Sequence, residues 1–142
     1  MQDNPMQSSK FIVDLGDGPI GFQEVIVPDS EIGIIEYRDG SDILPNVRKI
    51  PGLVKYSNLV LKRGIVNSHV LYDWFKQTKQ GKTERRDITV SLLNEDKEPF
   101  VTWKMKNCWP TKYKGPTLNA TANEVAIETL EIAVENLDVE FS

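Results

Sequence analysis

The chain has 142 residues, the length of one ordinary domain that can bury a core without staples. Its net charge of -4 gives no general attraction for nucleic acid. One cysteine, Cys108, excludes an internal disulfide, and no apolar run reaches the roughly 18 residues of a membrane span.

Residues 1–10 are polar, lack the apolar stretch of a secretory signal and read as a flexible N-terminal arm. Residues 11–142 read as one domain. "KFIVDL" opens a run of strands. It is followed at 16–21 by "GDGPIG", which matches G-x-G-x-x-G, with Glu36 about 20 residues on where a dinucleotide fingerprint places its ribose-binding acid. That fingerprint works only if its last glycine opens a helix, because the pyrophosphate rests on the helix N-terminus. Here "FQEVIVP" follows, alternates like a strand and ends at a proline. The motif therefore reads as a hairpin turn whose glycines supply positive φ, and no cofactor is expected.

"EIGIIEY" continues in strand style to the turn "RDGSD". "SDILPNVRKIPG" carries Pro45 and Pro51 and reads as a loop or irregular arm. "LVKYSNLVLKRGIV" alternates again. In "NSHVLYDWFKQTKQGK", Leu71, Trp74, Phe75 and Thr78 fall at i, i+3, i+4 and i+7, which predicts a helix over about 68–79, capped by Asn67 or Ser68 and stopped at Gly81. "RRDITVSLLNEDKEPFVTWKMKNCW" reads as a β-hairpin turning at "NEDKEP", and "PTKYKGPTLNATAN" as a loop. The tail "EVAIETLEIAVENLDVEF" fits a helical face through Ala126, Ile127, Leu130, Ala133, Val134 and Leu137, yet its β-branched residues favour strand, and periodicity leaves the choice open. The fold class is mostly β with one flanking helix.

No catalytic or metal-binding constellation emerges. His69 is the only histidine and reads as an ordinary first-turn helix residue, Cys108 has no base to activate it, and paired acids such as Glu128 and Glu131 read as a charged face or subunit interface. Trp74, Trp103 and Trp109 read as fillers of core and interface. Charge is uneven: ten bases lie from Arg48 to Arg86, and none follows Lys114, where the tail carries Glu124, Glu128, Glu131 and Glu135. The plain reading is two solvated faces; the sharper one is that copies meet, basic face to acidic face.

Residues 36–66, "EYRDGSDILPNVRKIPGLVKYSNLVLKRGIV", carry a turn at Glu36, Tyr37, Arg38 and Gly40, a stretch at Lys49, Pro51 and Gly52, and a strand end at Leu61, Lys62, Arg63 and Gly64. In this order they resemble the tube proteins of contractile phage tails and related injection systems, themselves related to the haemolysin-coregulated proteins of type VI secretion. The likeness extends through "LYDWF", "RRDITVSL" and "NCWPTKYKGPTLNATANEVAIETLEIA", from Phe11 to about Leu137.

The resemblance implies a β-barrel- or sandwich-like structural subunit, not an enzyme, whose tail is strand. It implies hexameric rings that stack into a hollow tube, driven through a target envelope by a contracting sheath. The implied partners are further copies, the sheath protein, baseplate or tip and terminator proteins, and possible cargo in the lumen. There is no specific nucleic-acid recognition and no integral membrane segment. Assembly in the bacterial cytoplasm and release with the particle follow from the same likeness. An arm of Arg38, Asp39, Gly40, Ser41, Asp42, Ile43, Leu44, Pro45, Asn46, Val47, Arg48 and Lys49 is expected to reach a neighbouring ring, because long loops in compact domains are usually functional. The alternatives are a tube-initiating paralogue at the tip or baseplate, a soluble β-barrel that binds a small ligand, and an enzyme using the acidic tail.

Overall fold

The computed structural model describes residues 10–38, 40 and 47–142. The chain begins with β1 (Phe11–Asp14), the glycine turn and β2 (Pro19–Ile20), followed by β3 (Glu24–Ile26) and the antiparallel pair β4 (Ser30–Tyr37) and β5 (Arg48–Tyr56). Next come β6 (Leu59–Gly64), the helix α1 (Val70–Lys79), β7 (Arg86–Leu93), the long β8 (Pro99–Lys114), β9 (Ile127–Ala133) and β10 (Asn136–Phe141).

The strands other than β4 and β5 follow an open path, β2-β1-β7-β8-β9-β6-β3, with β10 also on β8. The path has two ends, so the sheet is sandwich-like and not closed into a barrel. Strand β8 belongs to two leaves. Its first part lies between β7 and β10, and its second part pairs with β9. The change of leaf coincides with a bulge where Asn107 adopts φ 55 and its N–H donates to Asp87 Oδ1 at 3.1 Å. A bulge adds twist and re-aims a strand, which this strand needs in order to leave one leaf and join the other.

The core lies between the leaves. Val13, Leu15, Ile88, Val90, Met105 and Cys108 come from the first; Leu59, Leu61, Leu130 and Ile132 from the second; Leu71 and Trp74 from α1. Strict alternation produces this: on β6, Leu59 and Leu61 are buried while Val60 and Lys62 are only half-buried. The helix stripe seats Leu71 and Trp74 inward, and Tyr72 and Phe75 meet Tyr113 of β8 with ring centroids 5.2 and 6.2 Å apart.

Four sequence expectations need correction. The expected loop or irregular arm at 41–52 includes strand, since β5 runs through Pro51. Proline is tolerated at edges and bulges, and this ribbon of two strands is all edge with a register shift between Ile32 and Ile34, opposite Pro51. The run from Leu53 to Val66 is broken at Ser57, whose N–H donates to Asp29 O at 3.1 Å and whose Oγ accepts from Asp29 N at 2.7 Å. The expected loop at Pro110 is strand as far as Lys114, because Pro110 is buried opposite Ile132. Neither Asn67 nor Ser68 caps the helix: His69 stands at the N-cap without a side-chain cap bond, and its Nδ1 contacts the Asp73 carboxylate instead. Gly81, at φ 85, ends the helix as expected, donating to Thr78 O at 3.1 Å. The tail, open between helix and strand on periodicity, is β9 and β10.

Candidate assembly surfaces

Strands β4 and β5 form a sheet of their own whose substantial contacts are with each other. Both faces of this ribbon are exposed: Leu53 is 79% exposed, Ile34 66% and Ile32 57%, with Ile35, Ile50 and Val54 also open. An isolated two-stranded hairpin is marginal in water, and contiguous exposed apolar surface marks an interaction site. At mid-length Gly33 and Gly52 lie back to back, so that a Cβ on Gly52 would come within 3.1 Å of Gly33 O. Of the expected arm, Arg38, Gly40 and Val47–Lys49 are at the surface around this ribbon, with Tyr37 paired to Arg48 and Glu36 to Lys49. Asp39 and residues Ser41, Asp42, Ile43, Leu44, Pro45 and Asn46 lie outside the described residues.

The four acids of the expected tail surface are not brought together as one face. Glu128 is the correction: it is 4% exposed and its Oε1 lies 3.4 Å from Arg63 Nε, also buried. Arg63 further donates from Nη2 to Ser68 O at 3.2 Å and lies 6.0 Å from the Phe22 ring. A charge taken out of water must be paired, and sheet pairing of Arg63 with Glu128 supplies the partner. Glu131 lies 3.8 Å from Lys112 and Glu135 2.9 Å from Arg85, so both meet bases of their own chain. Glu124 is exposed beside an open hollow on the second leaf. Nothing in sequence spacing pointed to the Arg63–Glu128 pair, because the partners are 65 residues apart.

The glycine turn has the geometry its sequence demands. Gly16 and Gly18 have φ of 104 and 106, and both amides donate to Asp14 Oδ1, at 2.7 and 3.3 Å. The turn joins Asp14 to Pro19 across the β1–β2 hairpin, and Arg86 Nη1 reaches Asp17 at 3.3 Å. The Arg86 guanidinium lies over Trp74 at 5.0 Å, and Trp74 Nε1 donates to Glu84 O at 2.8 Å, so this tryptophan is core rather than a stacking platform for a ligand. Cys108 is fully buried. Desolvation, with Asp87 adding to it, pushes its thiol up from 9.0 to about 12. A thiol protonated at neutral pH is no nucleophile. Burial likewise raises the Tyr113 phenol, with Glu128 contributing.

The chain is thus a packed sandwich that carries an apolar ribbon left uncovered among the described residues. Residues 7–138 match the model of the T4-like virus tail tube protein gp19 family, and the chain belongs to that family. A chain in the cryo-EM structure of the anti-feeding prophage cap (AFP tube terminating cap) is 30% identical, with a TM-score of 0.91 over 100% of this chain and 95% of that one. A chain in the PVC sheath-tube complex of an extracellular contractile injection system, in the extended state, is 31% identical, with a TM-score of 0.89 over 99% and 94%. Hcp1 from Flavobacterium johnsoniae, at 14% identity and a TM-score of 0.57 over 93% and 95%, shares the fold. A search of curated protein sequences returned no match. The chain is a structural protein of the tail-tube class, homologous to the tube proteins of contractile injection systems, and not an enzyme.

Proposed function

We propose that this chain forms hexameric rings that stack into the inner tube of a contractile injection particle, and that a contracting sheath drives this tube through a target envelope. The observation that carries the reading is the ribbon of β4 and β5, which keeps its apolar side chains in water unless another copy covers them. A contact between two different patches closes into a ring or continues as a stack, according to its rotation. In this reading the ribbon and the expected arm (Arg38 to Lys49) join neighbouring subunits, and the partners are the sheath, baseplate and terminator proteins. Assembly takes place in the bacterial cytoplasm, and the tube leaves with the particle. Glu124 and the exposed edges of Glu131 and Glu135 remain candidates for the subunit interface.

Purified chain imaged by negative stain gives rings or tubes if this is right, and a uniform monomer that also fails to assemble with its sheath sinks it. Deleting residues 41–48 abolishes stacking; tubes of normal length from that deletion remove the arm's role. A second reading, a tube end, is favoured by the likeness to the cap structure, equal within 1% identity to that with the sheath-tube complex. Single rings that never elongate would select it.

A further inference from the structure

The glycine turn at 16–21 takes no part in the proposed assembly contacts. Asp17 stands in it between Gly16 and Gly18, with a side chain 77% exposed. The chain holds two aspartates followed by glycine, Asp17 and Asp39, and of these Asp17 lies among the described residues. The amide nitrogen that follows an aspartate can attack that aspartate's own side-chain carboxyl, and a glycine there puts no Cβ in the way. A Cβ built on Gly18 would meet nothing within 4 Å, so nothing packs on the attacking residue. The turn is also weakly held. Strand β2 has two residues and ends the sheet, and Pro19, opposite Asp14, has no N–H to give the ladder. Short edges with few backbone bonds open locally at low cost. With glycine on both sides, Asp17 then reaches many backbone conformations.

A charge opposes the attack. Arg86 Nη1 lies 3.3 Å from Asp17 Oδ2, and the guanidinium is itself fixed by the Trp74 ring at 5.0 Å and by Glu84 at 3.5 Å. A carboxylate paired with a cation is a poor electrophile, because attack at its carbon must expel an oxygen that only the protonated acid releases as water. On the other side, Gly18 N–H donates to Asp14 Oδ1 at 3.3 Å, so a carboxylate stands ready to take the proton the nitrogen loses.

We propose that Asp17–Gly18 is a site of spontaneous isoaspartate formation, held shut by the ion pair to Arg86. In the step, the Asp17 carboxyl leaves Arg86 and takes a proton from solvent. Gly18 N bonds to Asp17 Cγ, the Cγ–O bond breaks, and the amide proton passes through Asp14 and departs with that oxygen as water. A second water opens the cyclic imide. Addition at Cγ restores aspartate, whereas addition at the Asp17 backbone carbonyl leaves the main chain running through the side chain, longer by a methylene. A turn so lengthened no longer brings the Gly16 and Gly18 amides together onto Asp14 Oδ1, and the β1–β2 hairpin loses its fastening. The site is independent of the tube reading.

The test incubates the full chain at neutral pH and counts isoaspartate at residue 17 by peptide mass spectrometry and by methyl transfer from an isoaspartyl-specific methyltransferase. Arg86→Gln is expected to raise its rate of formation roughly two- to fivefold, the range an exposed ion pair supports. Arg86→Lys, which keeps the charge, restores the slow rate. Asp17→Asn separates the ion pair from mere loosening of the turn. Its side-chain amide cyclises with loss of ammonia, needs no protonated acid and makes no ion pair, so Arg86→Gln leaves its rate nearly unchanged. Salt gives the same comparison without altering Arg86: at about 1 M the screening length falls to about 3 Å, and isoaspartate forms faster in the unmodified chain but not in Asp17→Asn. Equal acceleration of both by Arg86→Gln or by salt, or acceleration of neither, overturns the lock. Isoaspartate no more frequent at residue 17 than at the other described aspartates in Arg86→Gln overturns the site.

Discussion

The second leaf and the ribbon are built from similar residues and end in opposite states. On β6 and β9, Leu59, Leu61, Leu130 and Ile132 are fully buried. On β4 and β5, Ile32, Ile34, Ile35, Ile50, Leu53 and Val54 are as apolar and stand in water. The leaf alternates, so one face packs on the core and the other carries charge. The ribbon does not: "IGII" and "GLV" put apolar side chains on both faces, and among the described residues no second layer covers either. The lesson is that the leaf's stability is internal, whereas the ribbon's apolar faces gain cover, in the proposed reading, only from assembly.

Removing one half of a buried ion pair gives the largest expected effect. Glu128→Ala leaves Arg63 buried without its carboxylate and is expected to lower unfolding free energy by about 3–5 kcal/mol, read by urea denaturation. A loss no larger than that of a surface substitution would mean that Arg63 finds water or another acid. Leu61→Ala, at a position with no exposure, is expected to cost about 2–5 kcal/mol in the same assay. Gly18→Val meets no atom within 4 Å of its Cβ, so its cost is backbone strain at φ 106 alone, about 1–3 kcal/mol. Unchanged stability in that variant would remove the claim that the turn requires glycine.

A pH-dependent effect follows from Cys108. Its folded pKa stands at about 12 against 9.0, so between those values the unfolded chain gives up a proton that the folded chain keeps. Stability is full below pH 9 and falls as pH rises toward 12, and this share of the slope is missing in Cys108→Ala, whatever its constant offset. Identical slopes in the two proteins would contradict it. The smallest effect on folding belongs to the ribbon: Leu53→Asp is expected to shift monomer stability by no more than about 0.5 kcal/mol, as at other exposed sites.

Much of this was legible in the sequence. The 3.6-residue stripe of Leu71, Trp74 and Phe75 marked the helix to within two residues at its start. The glycine turn followed from motif context, since a strand and not a helix comes after it. The tail was undecidable from its own residues, because the helical and strand periods overlap in it, and the family resemblance pointed to strand. What stayed hidden depends on long-range pairing. Glu128 looks like any acid of the tail until sheet register sets it against Arg63. Pro51 and Pro110 argued against strand where an isolated ribbon and a change of leaf each tolerate a proline. The apolar content of β4 and β5 was visible; that no layer among the described residues covers it was not, because a strand's sequence does not name its partner.

The most direct measurement is to compare unmodified chain with Leu53→Asp in two assays on the same preparations, urea unfolding of the dissociated subunit and electron microscopy of the assembly. Superimposable unfolding curves with tubes from the unmodified chain alone are the expected result. Tubes of equal length and number from Leu53→Asp would contradict the assignment of the ribbon to assembly.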